Sequence, residues 1–218
     1  MRTVLAAFLA LTAVAPALAA DKYVQARVSR WSPTSYNVYE PFLNVDLSLH
    51  GFGSGLSFSG RPFSGSVSGA GSFFNLSGSG ISGSVNAWAG GWRVNAIIHP
   101  ADPRQPPRRF DFMMQAQGRT DDPRHPPSYS VWENGSSLNI RPGFDGREYT
   151  VSGWIDETRF GPEGTALVGI MTALAMRSRE QQAEAYRPLP APPRPKAAVE
   201  RLRLPVLKLP AAGAVRWH

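Results

Sequence analysis

Phe58-Ser-Gly-Arg-Pro-Phe63-Ser-Gly-Ser-Val67 and Leu76-Ser-Gly-Ser-Gly-Ile81-Ser-Gly-Ser-Val85 are one ten-residue phrase written twice, 18 positions apart, with six of the ten positions identical. Around them, residues 51–92 hold 12 glycines and 11 serines, with Arg61 as the only charge. Such enrichment ordinarily makes a flexible linker. The placement of the residues argues against one here. Phe63, Gly65, Val67 and Ile81, Gly83, Val85 recur at every second position, which is one face of an extended chain, with serines on the other. An 18-residue unit is two short strands with their turns, and two copies are too few for a solenoid. The phrase therefore reads as a hairpin repeated within one barrel. Gly65 and Gly83 on its inward face let the sheet curve tightly, or leave space for large side chains opposite.

Working outward, Gly90-Gly91 turns the chain into Trp92-Arg-Val-Asn-Ala-Ile-Ile98, where Trp92, Val94, Ala96 and Ile98 alternate with more polar neighbours. Residues 109–117 form another candidate strand. Tyr129–Glu133, Asn134-Gly135 and Ser136–Ile140 make a tight hairpin signal, and a second turn at 142–146 leads into 148–155. Residues 22–31 and 36–49 supply extended segments upstream. Consecutive strands joined by short turns close most simply as an up-and-down antiparallel barrel. The expectation is an all-β chain: a barrel of about eight strands over 55–178, with extra N-terminal strands over 20–54.

The ends of the chain carry different information. Arg2, an apolar run over 4–15 and Ala17-Leu18-Ala19 describe a secretory signal peptide over 1–19. That run is too short to span a bilayer as a helix, so no transmembrane helix is expected. The chain has no cysteine, which excludes disulfides, Cys-ligated zinc and lipid anchoring through cysteine. An exported protein is expected, periplasmic, secreted or at the cell surface. Of 23 Lys and Arg, one lies in the leader and seven beyond Tyr186; the remaining 15 balance the 15 acidic residues left once Glu200 is set aside. The body is neutral, and nucleic acid is not an expected partner. Residues 179–218 read as a short helix followed by a disordered, basic, Pro-rich tail, able to contact an anionic envelope surface.

Phe74-Asn-Leu-Ser-Gly-Ser-Gly-Ile-Ser-Gly-Ser-Val-Asn86, followed by Gly90-Gly-Trp-Arg-Val-Asn-Ala-Ile-Ile98, resembles the β-barrel domain of the transferrin-binding protein B family. So does the ending, with Val151-Ser-Gly153-Trp-Ile155, then Phe160-Gly161-Pro162, then Leu167-Val168-Gly169-Ile170-Met171. The resemblance covers about 55–175. It implies a binding module of the bacterial cell envelope, with Gly65, Gly83, Trp92, Gly153, Phe160, Gly161, Pro162 and Gly169 as structural motif positions. It also bears on residues 164–186, which are good helix formers by propensity and taken alone read as a helix capping the barrel. The family pattern instead implies a short helical turn at 163–168, a closing strand at 169–176 and a helix from Arg179 to Ala185.

Catalytic signatures do not emerge. His50, His99, His125 and His218 form no i, i+4 pair, and Gly161-Pro-Glu-Gly164 lacks the Gly-Lys-Ser/Thr of a phosphate-binding loop. No resident cofactor or metal is expected; Asp121-Asp122 is weak as a calcium site. Asp102-Pro-Arg-Gln-Pro-Pro107 and Asp122-Pro-Arg-His-Pro-Pro127 repeat 20 positions apart and read as rigid loops at opposite barrel ends. Exposed Trp or Tyr suits stacking on sugars or a porphyrin, although Trp92 and Trp154, on regular strands, are expected to be buried. The expected function is non-catalytic binding of a protein or envelope polymer. The alternatives are a haem or small-ligand carrier using His99, His125, Met113 or Met114, and a carbohydrate-active hydrolase using carboxylates such as Asp111 or Glu133, which needs two acids facing each other across a cleft.

Overall fold

The computed structural model describes residues 21–185, apart from 101, 103, 119–124 and 134. Residues 1–20, with the expected signal peptide, the Asp121-Asp122 pair, Asn134, and residues 186–218, with the expected tail, lie outside the described residues.

Twelve strands follow one another: β1 (Asp21–Ser32), β2 (Ser35–Glu40), β3 (Val45–Phe52), β4 (Gly55–Arg61), β5 (Ser64–Ala70), β6 (Phe73–Ser79), β7 (Ile81–Trp88), β8 (Gly91–Ile98), β9 (Arg108–Gln117), β10 (Ser128–Glu133), β11 (Ser136–Pro142) and β12 (Glu148–Asp156). Each pairs antiparallel with its neighbours in sequence, and β1 pairs with β12 to close the barrel. The count is therefore twelve rather than about eight. The N-terminal strands are not extra: β1 to β3 are staves of the same wall. The repeated phrase falls on the β4–β5 and β6–β7 hairpins, with Phe58, Phe63, Val67 and Leu76, Ile81, Val85 all buried.

A barrel of this many strands is too wide for wall side chains to fill from one side. A single helix fills it. Helix α1 (Gly161–Ala185) starts at the end where β12 stops, and Gly164 through Arg177 are buried without interruption. Burial on every side is what a helix enclosed by a wall requires, and residues 164–176 are apolar nearly all round to match, whereas 177–185 are mostly polar. The expected closing strand at 169–176 is thus helix, as propensity alone indicates; β12 is the strand that closes the sheet. The Arg179–Ala185 helix is the last part of the same element.

Local chemistry accounts for the helix start. The Asp156 carboxylate accepts the Thr158 N–H at 2.9 Å and the Arg159 N–H at 3.3 Å, folding the chain back sharply after β12. The Thr158 hydroxyl also donates to it, holding this carboxyl below the usual carboxylate range. Gly161 has φ +53°, a left-handed conformation costly for other residues. Pro162 follows in the first turn, where its missing N–H costs nothing. Glu163 there pairs with Arg108 at 2.7 Å. The two buried hydroxyls bond inside the helix, Thr165 to the Gly161 carbonyl (2.9 Å) and Thr172 to the Val168 carbonyl (2.8 Å). At the far end Arg177 and Gln181 donate to the Gly53 carbonyl at 2.8 and 2.7 Å, and Glu180 pairs with Arg30.

The remaining motif positions are structural in a readable way. Gly65, Gly83 and Gly153 stand beside Phe58, Leu76 and Leu138 on paired strands, and a Cβ on Gly65 would lie 3.0 Å from the Phe58 ring. Trp92 is buried and packs against Phe74. Phe160 lies at the mouth where α1 enters, in edge and tilted contact with Phe110 and Phe112.

Candidate functional site

With α1 inside, the wall's alternation divides the chemistry. Inward positions are mostly apolar, with the fully buried Glu40 on β2 an exception whose carboxylate accepts the Leu43 N–H; outward positions on β3 to β8 are mostly serine and asparagine. A membrane-spanning barrel shows lipid an apolar outer band, the opposite arrangement. No helix among the described residues is long and apolar enough to cross a membrane.

Two outer features stand out. The first is a stripe running across five strands in register: Met113, Trp132, Ser137, Trp154 and Tyr23 are successive cross-strand partners. Met113, Trp132, Trp154 and Tyr23 are each half-exposed, and Tyr23 meets Trp154 edge-on at 5.4 Å. Trp154 is therefore not buried as expected. Val151, Gly153 and Ile155 take the inward positions of β12, and Trp154 follows the opposite parity. The adjoining outward row is Gln115, Ser130, Asn139, Ser152 and Gln25, neutral throughout. Three ion pairs lie near the stripe: Arg93 with Asp111, Arg27 with Glu148, and Lys22 with Glu157.

The second is a groove of about 390 Å³ over β2 to β4, walled by Trp31 and floored by Ser35, Asn37, Ser48, His50 and Ser57. Trp31 is 79% exposed. Ser35 Oγ lies 3.2 Å from His50 Nδ1, and the Ser57 hydroxyl donates to the His50 carbonyl at 3.3 Å. Asn37 Oδ1 is buried without a hydrogen-bond partner.

The residues put forward for chemistry are distributed less usefully. Met114 points inward and is fully buried, whereas Met113 points outward. His99 follows β8 at the end where α1 enters, and His125 precedes β10 at the opposite end, so the suggested haem ligands do not converge. Residues 103 and 122–124 of the two Pro-rich repeats lie outside the described residues; in sequence the repeats precede and follow β9. Asp111 and Glu133 are close, but both engage protein groups. Arg93 grips Asp111 through two 3.0 Å hydrogen bonds, which hold its carboxyl below the usual range. Glu133 Oε1 accepts the Asp111 N–H at 3.1 Å. No cluster of three metal-binding side chains occurs among the described residues.

Burial pushes the Glu133 carboxyl up, with the nearby Asp111 charge adding to the shift. A raised carboxyl favours the fold most when neutral, so its contribution is complete at low pH and is lost as pH rises through its folded value. Glu133→Gln keeps an oxygen for the Asp111 N–H without the charge. It should raise the melting temperature at pH 7 and match the parent at about pH 3, where the carboxyl is neutral in both states. Thermal melts across that range test this.

Sequence reasoning identified the tryptophans but not their sides, although alternation carried the signal: Trp154 is out of phase with Val151 and Ile155, and Trp132 with Tyr129 and Val131. The groove had no local signal, since three separate strands build it. Compared with models of protein families, with curated proteins and with solved structures, the chain matches none.

Proposed function

We propose that this protein is an exported, non-catalytic binding module of the bacterial cell envelope, which holds a protein or polymer partner against the outside of its barrel. One observation carries the reading: α1 occupies the interior that other barrels of this size give to a ligand or channel, while the exposed aromatics lie on the wall. Tyr and Trp with apolar bodies and polar tips are favoured at recognition surfaces. The leader-like start supports export, and the resemblance to transferrin-binding protein B barrels supports an envelope role. The Arg93 grip on Asp111 argues against hydrolysis by the Asp111–Glu133 pair, because a carboxylate so held is a poor base.

The test is cosedimentation of the mature chain with a bacterial envelope fraction. Trp132→Ala/Trp154→Ala removes the centre of the stripe; each ring is only half-exposed and Trp154 also meets Tyr23, so a loss of about 1–2 kcal/mol per site is expected, and retention is compared at a temperature where both proteins are folded. Retention should fall at least about tenfold, the loss of a modest hot spot. Retention unchanged in the double variant, or absent in the parent, contradicts the proposal.

A further inference from the structure

The groove beside Trp31 has a composition that selects its ligand. Its named lining residues include no Arg, Lys, Asp or Glu. A phosphate or carboxylate ligand would find no cation there, and a cationic ligand no counter-charge. The groups present are hydroxyls, an amide and an imidazole, all able to exchange hydrogen bonds with a neutral polar molecule. Against them stands one indole, whose face binds polarised C–H groups. A ligand matching both needs an apolar face and a rim of hydroxyls, which is the chemistry of a pyranose ring. The volume, about 390 Å³, lies in the range of small-molecule sites.

The wall beyond the groove extends this pattern. Ser35, His50, Ser57, Ser66, Ser77 and Ser82 are successive cross-strand partners from β2 to β7. At about 4.8 Å between strands this row runs roughly 24 Å around the barrel. A single sugar in the groove leaves most of it unused; a chain of sugars follows it.

From this we infer that the Trp31 groove and the serine row leading from it form a binding site for a neutral oligosaccharide. One ring stacks on Trp31, and the following units lie along Ser66, Ser77 and Ser82. This rests on the outer wall being the binding surface and names the ligand class for one part of it.

The experiment titrates the folded mature chain with neutral glucose-, mannose- and N-acetylglucosamine-based oligosaccharides of two to six units, read by calorimetry and tryptophan fluorescence. Acidic oligosaccharides and free nucleosides serve as comparison probes. At least one neutral series should bind, more tightly at six units than at two. Trp31→Ala should weaken it by about tenfold or more with the melting temperature unchanged. Ser66→Lys/Ser77→Lys should abolish the gain from length while leaving disaccharide binding intact. Trp132→Ala/Trp154→Ala should leave this binding unchanged. No binding by any neutral series, stronger binding of the acidic or nucleoside probes, or an unaltered affinity in Trp31→Ala overturns the inference. If envelope retention survives while sugar binding fails, the site assignment falls and the outer-wall reading stands; if retention is lost as well, both fall.

Discussion

A chain ending at Phe160 should not form a cooperative barrel. It keeps all twelve strands but loses Leu167, Val168, Ile170, Met171, Leu174 and Met176, each almost wholly buried. Burying a side chain of this size contributes about 1.5–3 kcal/mol, so six contribute roughly 9–18 kcal/mol. Net domain stability is typically only about 5–15 kcal/mol. Omitting the helix also spares the cost of ordering it, but the wall then faces nothing. Phe110, Phe112, Leu47 and Leu56 would line an empty or flooded lumen, and such voids carry their own penalty. The expected product binds hydrophobic dyes, has lost near-ultraviolet dichroism from Trp92, Tyr129 and Tyr149, and melts without a sharp transition. A truncated chain melting cooperatively near the parent temperature would show the helix to be dispensable.

The second large effect is expected at Gly169, about a third of the way along α1. Glycine there costs about 1 kcal/mol of helix propensity relative to alanine, so by local rules a substitution should stabilise. The surroundings reverse the sign. A Cβ at this position would lie 2.9 Å from Val38 Cγ2 and 3.2 Å from Val38 Cβ, closer than packed carbons approach. The glycine is where the helix backbone comes down onto β2. Gly169→Leu should cost about 3 kcal/mol or more, the upper part of the range for overpacked cores. Gly169→Ala should cost less, and combining it with Val38→Ala should destabilise by less than the two single changes summed. Residues in contact couple by about 0.5–3 kcal/mol, and denaturant titration of the four proteins measures that term.

These expectations also explain what the sequence revealed and what it withheld. Alternation on Trp92–Ile98 and the repeated Ser-Gly phrase mark strands, because one face is apolar and the other wet. The N-terminal segments show the same alternation, yet nothing local states that Val24 and Val28 line the same lumen as Ile140 and Val151; only closure through β1 and β12 does. Residues 164–176 fail differently. A helix enclosed on all sides has no polar stripe, so periodicity cannot tell it from a buried strand. Propensity and length pointed to helix, whereas the family resemblance pointed to a strand and was misleading at this element. At the candidate site, the side of Trp154 was readable from its phase against Val151 and Ile155, whereas Trp31 sits at a register shift between Arg30 and Ser32, where alternation gives no guide. His50 meets Ser35 and Ser57 only after β2, β3 and β4 have paired.

Because the chain has no cysteine of its own, single thiols report accessibility without background. Ala166, Met171 and Thr172 are buried and lie at roughly 0°, 140° and 240° around α1, taking 100° per residue. Each replaced singly by cysteine should resist a water-soluble alkylating reagent in the native protein and react only at the rate of unfolding. Cysteine at the exposed Ala183 should react at once. Protection at all three angles is the outcome expected of a helix inside the barrel; fast labelling at any one of them, in a variant that remains folded, would place α1 outside and contradict the account.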